Sequence, residues 1–265
     1  MRRNLFNSRP IPAVQARGVT LRQVKFAVIC VFVLFLLAVL PAHARLQKTI
    51  NTGSGGDLGG SLARLGQKMT QAQAEFKKGT QAFKNKDFYR AERIWLSAAR
   101  AGYVRAQFFL GLLYETASND RYKAIHWYLR AAEQGDRDAQ HNLGLAYARG
   151  LGVKKNIPKA IKWWRTAGLK GNSDSQYNLG IIYATGASGV HQNFKEAERW
   201  WLLAAAGGDA LAQYNLGAMY ANGVAGKKRY CEAARWWLKS QSNGFSQANI
   251  ALENLGRRVD VFNCH

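Results

Sequence analysis

Three cysteines, five histidines and four pairs of adjacent aromatics are the side chains of this 265-residue chain from which chemistry could be built. The spacing argues against a metal. No C-x-x-C occurs, and no two histidines stand at ligand spacing: His43 lies in an N-terminal leader, His126 and His141 on expected helices, His191 in a loop and His265 at the end. No serine or cysteine sits in the setting of a nucleophile, and no carboxylate pair recurs. The glycine-rich stretch 51–60 (NTGSGGDLGG) follows no strand and is not followed by G-K-[ST], so it is not a phosphate loop. We therefore expect no cofactor, no metal and no enzyme. Trp127/Tyr128, Trp163/Trp164, Trp200/Trp201 and Trp236/Trp237 invite a ligand cage. Neighbours on a helix point about 100° apart, so one ring of each pair is the deeper, and wedging of both between hairpins is the structural alternative.

Charge is the strongest bias in the composition. The chain has 38 Lys+Arg against 16 Asp+Glu, net +22, and six of the cations precede residue 45, where there is no acid. The remainder keeps 32 cations against 16 acids, net +16, which suits anionic partners such as acidic proteins, lipid headgroups or acidic glycans. Lys154, Lys155, Lys159, Lys162, Arg165 and Lys170 gather around one hairpin, and Lys227, Lys228 and Arg229 lie in the next loop but one. They read either as a patch for an acidic partner or as a solvated face.

The leader has the order of an export signal. Residues 1–25 are basic, 26–40 (FAVICVFVLFLLAVL) form an apolar run of fifteen, and Pro41-Ala42-His43-Ala44 supplies an A-x-A cleavage site. A fifteen-residue helix, roughly 22 Å long, falls short of the ~30 Å hydrocarbon core. We expect cleavage near Ala44 and a periplasmic or secreted product. The alternative is an inner-membrane anchor with the bulk of the chain still outside the cytoplasm, the membrane being touched through the leader alone. Export removes nucleic acid from the candidate partners. Residues 45–69 read as a flexible Gly-rich linker.

The elements that position the rest repeat. "AQHNLGLAY" at 139–147 returns as "SQYNLGIIY" at 175–183 and "AQYNLGAMY" at 212–220, and "KAIKWWRTAGLKG" at 159–171 returns at 196–208 and 232–244. Ala91, Ala124, Ala160, Ala197 and Ala233 are each followed eleven residues later by glycine. A period near 36 residues means a stacked array. We expect an all-α solenoid over 70–258 of about five antiparallel helical hairpins, 70–102, 103–135, 136–171, 172–208 and 209–244. A capping helix at 245–258 and a tail at 259–265 complete it. Gly144, Gly180 and Gly217 lie mid-helix and need a packing reason, namely close approach of the second helix. The closing glycines suit left-handed C-caps, and Asp136, Asn172 and Asp209 suit N-caps. Because the cap runs antiparallel to the last second helix, residues past Arg258 return near Cys231. A Cys231–Cys264 disulfide is one expectation and two unpaired thiols the other.

The L-G-x-x-Y and A-x-x-W-W-x-x-A-A-x-x-G patterns, with Gly150-Leu151-Gly152-Val153 between them, resemble the Sel1-like repeat, a relative of the tetratricopeptide repeat. The resemblance implies an α-solenoid whose first helices line a concave, protein-binding face. On that face the expected contacts are Phe108, Glu115, His141, Arg149, Tyr177, Tyr214 and Asn222, with inter-repeat packing as the alternative use of the aromatic ladder. The implied role is a non-catalytic adaptor or regulator at the cell envelope, binding a protein or peptide of acidic character. Two other readings stand: an envelope glycan or anionic-lipid binder using the basic loops, and a cell-wall or β-lactam hydrolase. The within-repeat cysteine pairs of the penicillin-binding branch are absent. The first unit lacks the Leu-Gly motif and is closer to an ordinary tetratricopeptide hairpin.

Overall fold

A glycine facing an aromatic ring defines each hairpin. The computed structural model describes residues 58–187, 189–223 and 227–257, so the leader, Arg258 and Cys264 lie outside the described residues. Among them are eleven helices: α1 Leu58–Lys84, α2 Phe88–Arg100, α3 Val104–Thr116, α4 Arg121–Glu133, α5 Arg137–Arg149, α6 Ile157–Leu169, α7 Ser173–Thr185, α8 Phe194–Ala206, α9 Ala210–Asn222, α10 Tyr230–Ser242 and α11 Gln247–Gly256. Each consecutive pair from α3 to α10 packs as an antiparallel hairpin, and each hairpin packs on the next. The fold is the expected all-α solenoid. No described helix is long and apolar enough to cross a membrane.

Contacts divide the chain at residues 71 and 72. Of the unit 16–71, the described part is the first half of α1, where Thr70 Oγ1 donates to the Gly66 carbonyl at 2.9 Å. This corrects the expected linker: residues 58–69 are helical, not flexible coil. From Ser61 on, the residues are mostly Leu, Ala, Arg, Gln and Lys, good helix formers, and the glycine-rich character ends at Gly60. The unit from residue 72 onward holds the hairpins.

Within that unit a ring of the second helix lies flat on the first-helix glycine. A Cβ on Gly79, Gly111, Gly144, Gly180 or Gly217 would fall well inside van der Waals distance of Trp95, Tyr128, Trp164, Trp201 or Trp237 respectively. In every case the ring comes four residues after the repeat alanine. The aromatic pairs therefore do not both wedge between hairpins: the second member enters its own hairpin, while Trp200 reaches back to Gly168 of the preceding one. Gly79 shows that the first unit is built the same way. Its signal was present twelve residues before Ala91, against thirteen for Gly111 and Ala124, but without the preceding leucine.

Hairpins are joined by a buried amide. Gln107, Gln140, Gln176 and Gln213 are 2–6% exposed, and each donates through Nε2 to a carbonyl eight residues earlier, Ala99, Ala132, Gly168 and Ala205, at 2.8–3.1 Å. Each of these last-turn carbonyls also accepts the N–H of the closing glycine at 3.0–3.1 Å, so the amide adds a second bond to it. The intervening turn closes on the repeat glycine, with φ of 81–96° at Gly102, Gly135, Gly171, Gly208 and Gly244. Asp136, Asn172 and Asp209 then cap the next helix through their side-chain oxygens.

Loops within hairpins vary in length because their ends are pinned. The residue preceding the second helix donates its N–H to the motif tyrosine carbonyl in four hairpins: Asp120 to Tyr114, Asn156 to Tyr147, Asn193 to Tyr183 and Arg229 to Tyr220, at 2.7–2.9 Å. At the far end α11 packs on α10, burying Ala248 and Leu255. Ala251 stands at its glycine position and packs against the core of the last two hairpins.

We expect Gly180→Ala to destabilise the array by about 1–3 kcal/mol through overpacking against Trp201, although alanine is the better helix former by up to ~1 kcal/mol. Gly66, whose Cβ would meet nothing within 4 Å, is the control: Gly66→Ala shifts stability the other way, by less than about 1 kcal/mol. Urea unfolding followed by circular dichroism checks both signs.

Candidate partner-binding face

The first helices pack side by side along one layer. Successive first helices, α5 with α7 and α7 with α9, approach one another more closely than successive second helices do. Along that layer, Phe108, His141, Tyr177 and Tyr214 stand three residues before the repeat glycine, and Leu112, Leu145, Ile181 and Ala218 one residue after it. All eight are half-buried.

The rings are held by their neighbours. Phe108 lies 5.9 Å from Tyr128 and 5.5 Å from Phe109, with the Arg105 guanidinium 5.2 Å above its ring. His141 Nδ1 meets Ser175 Oγ of the next first helix at 2.9 Å. Tyr177 packs with the residues of the last two hairpins. Tyr214 lies 5.0 Å from Phe245 and 6.3 Å from Trp237, whose indole N–H donates to the Tyr214 carbonyl. The ladder thus contributes to joints as well as to surface, and Phe76 extends it into the first hairpin, stacked 6.1 Å from Trp95. Glu115 accepts from the Tyr128 hydroxyl at 2.7 Å and serves that hairpin. Arg149 and Asn222 are exposed at the helix ends, as are Thr116 and Thr185; Ala148 and Ala221 are half-buried, and Ala184 is buried.

The basic residues do not form one patch. Lys154, Lys155, Lys159 and Lys162 are exposed around the third hairpin, with Lys159 Nζ 5.4 Å from the Tyr147 ring. Lys170 Nζ donates to the Gly135 carbonyl at 2.8 Å, and Arg165 pairs with Glu196 at 3.6 Å. Lys227 and Lys228 are exposed two hairpins away. Arg229 belongs to the packing: it lies 4.5 Å over the Tyr220 ring and bonds Glu232 at 2.7 Å.

Buried phenols mark the seams. Tyr114 donates to Glu92 and Tyr220 to Glu198, each across a hairpin boundary. Burial first, and then the carboxylate acceptor, pushes the Tyr114, Tyr128 and Tyr220 hydroxyls well above the usual tyrosine range; burial alone raises Tyr214. No cluster of three or more His, Cys, Asp or Glu able to hold a metal occurs among the described residues. Cys231, in the first turn of α10, is disulfide-bonded. The other two cysteines, Cys30 and Cys264, lie outside the described residues.

Two measurements test these groups. The folded chain holds its phenol protons above pH 10, where the unfolded chain releases them, so their stabilisation is complete below about pH 10 and fades as the pH rises past it. In an alkaline titration read by phenolate absorbance, the raised tyrosines should ionise only together with loss of helicity. For the disulfide, Cys264→Ser should expose Cys231 to alkylation without reductant and lower stability by about 3–4 kcal/mol, the loop-entropy value for such a bridge. A Cys231 that stays blocked would assign its bond to Cys30.

A family model described as Sel1 repeat matches four consecutive segments, residues 104–136, 137–172, 173–209 and 210–242. Among solved structures, the chain is similar to a protective antigen present in uropathogenic Escherichia coli strains displaying an SLR fold. The two share 32% identity over 73% of this chain and 43% of that one, with a TM-score of 0.68. It is also similar to a Sel1 repeat protein from Oxalobacter formigenes, with 31% identity over 68% of this chain and 74% of that one and a TM-score of 0.63. The match thus takes in less than half of the antigen's length. No curated protein matches the chain.

Proposed function

Because this chain belongs to the Sel1 repeat family, we propose that it acts outside the cytoplasm as a non-catalytic scaffold, an adaptor or regulator at the bacterial cell envelope. In this reading its inner face takes an extended segment of a partner protein. The observation that carries it is the half-buried strip of the first helices. Phe108/Leu112, His141/Leu145, Tyr177/Ile181 and Tyr214/Ala218 repeat one aromatic-type and one aliphatic position per hairpin, bordered by the exposed Arg149 and Asn222. A strand-like segment could meet one such pair per repeat, with rings for its side chains and polar ends for its backbone.

Three things support the export part. The leader has a basic, apolar and A-x-A order. The bonded Cys231 suits an oxidising compartment. A 32% identical relative is a protective antigen.

The half-buried alanines offer the cleanest test, since they can be filled without removing a packing ring. Ala148→Glu combined with Ala221→Glu should abolish partner capture and leave the helical circular dichroism intact. A photo-crosslinker at Arg149 or Asn222 should yield one covalent adduct from intact envelopes that the same crosslinker at Ser242, on the outer layer, does not. Equal adducts from both layers, or capture unaffected by the double change, would remove the inner face from the binding reaction.

A further inference from the structure

We infer that the outer layer of this array docks on an anionic phospholipid surface through a cationic column that runs along the second helices. Two residues after the repeat alanine stand Arg93, Lys162, Arg199 and Arg235, with His126 in that place in the second hairpin, and all five are exposed. These are not the loop lysines; they come from the faces of α2, α4, α6, α8 and α10. At the positions two, five, six and nine residues after the alanine, the five helices carry eight Lys or Arg and a single acid, Glu133; Glu196, in the first turn of α8, pairs with two of the eight, Arg199 at 3.5 Å and Arg165 at 3.6 Å.

The second observation is apolar. Three residues beyond the column, and so on the same helix face, stand Leu96, Leu129, Leu202 and Leu238, with Arg165 in the third hairpin. Leu202 and Leu238 are 38% and 52% exposed, and Leu203 and Leu169 beside them are 43% and 68% exposed. Trp163 and Trp236 are half-buried in the same layer, the latter with Lys239 Nζ 4.5 Å over its ring. The guanidinium of Arg130 lies 5.4 Å over Trp127, and that of Arg199 5.6 Å over Trp200.

Cations alone would suit any acidic partner. Cations with leucines exposed between them and indoles beneath them suit a bilayer interface, where charge stays at the phosphates and leucine enters the acyl boundary. The column leaves the inner face open, so a membrane-docked array could still hold a partner segment, and neither surface depends on the other.

The chain's own tryptophans supply the readout. All eight lie on α2, α4, α6, α8 and α10, and none lies in residues 1–44. Their quenching by lipids brominated in the acyl chain therefore reports the second helices, whatever the leader does. The full chain should be quenched by vesicles containing brominated phosphatidylglycerol and weakly by brominated phosphatidylcholine, and the difference should fade between about 0.05 and about 0.5 M salt. Lys162→Gln, Arg199→Gln and Arg235→Gln together should lower the apparent affinity roughly 100-fold. Leu202→Gln with Leu238→Gln should reduce quenching at unchanged charge. Equal quenching by both lipids, none by either, or quenching indifferent to salt and to both sets of changes overturns the inference. Capture of poly-glutamate without lipid quenching also overturns it and assigns the column to an acidic protein. The salt series on the unaltered chain keeps the test decisive should a variant lose its helicity.

Discussion

The contact between a backbone with no Cβ and the flat side of an indole or phenol sets the geometry of every hairpin in this protein. At Gly79, Gly111, Gly144, Gly180 and Gly217 the two helices come so close that a single methyl group would lie in the ring. A glycine within a helix costs up to ~1 kcal/mol relative to alanine. That cost is offset by burying a large aromatic: Trp95, Trp201 and Tyr128 are among the largest fully buried side chains. Once the ring is seated, the rotation of the second helix is fixed, and so is the direction of everything else it carries. The cationic column two residues before the seated ring points outward for that reason.

The joints between hairpins have a different origin. They combine a left-handed glycine, a side-chain cap and a buried glutamine that adds a second bond to a last-turn carbonyl of the preceding helix. Because the bond spans eight residues and one turn, it joins each hairpin to its immediate neighbour, as a nearest-neighbour array requires. Where Glu92 and Glu198 occur, the motif tyrosine of the next hairpin adds a second link. The corresponding residues at the other two seams are Ile125 and Ile161, and at the second of these the Tyr183 hydroxyl accepts instead from Arg165 at 3.1 Å.

The two layers differ in chemistry. The first helices present half-buried rings and small aliphatics, and the second helices present Arg, Lys and Leu. Several residues that looked like surface from spacing alone are divided between surface and packing. Tyr214 lies between Trp237 and Phe245, His141 meets Ser175, and Glu115 is held by Tyr128. Arg149 and Asn222 remain exposed, since they come at helix ends past the last packing turn. Arg229 sits over Tyr220 because its loop is pinned to that residue's own carbonyl.

By itself the sequence determined the number of hairpins, their period, their caps and the need for a close approach at glycine, because these depend on residues within one or two turns of each other. It also held Gly79, but the missing leucine hid it, and the glycines of 51–60 drew the expected linker past Gly60 into residues that are helical. Only the tertiary structure decided which tryptophan of each pair enters its own hairpin. It alone showed what the glutamines before the Leu-Gly motif are for. The reason is physical: periodicity says which side chains share a face of a helix, but the neighbour that face meets depends on the angle between rigid helices. That angle is set by packing against two partners at once, one of them in the next repeat.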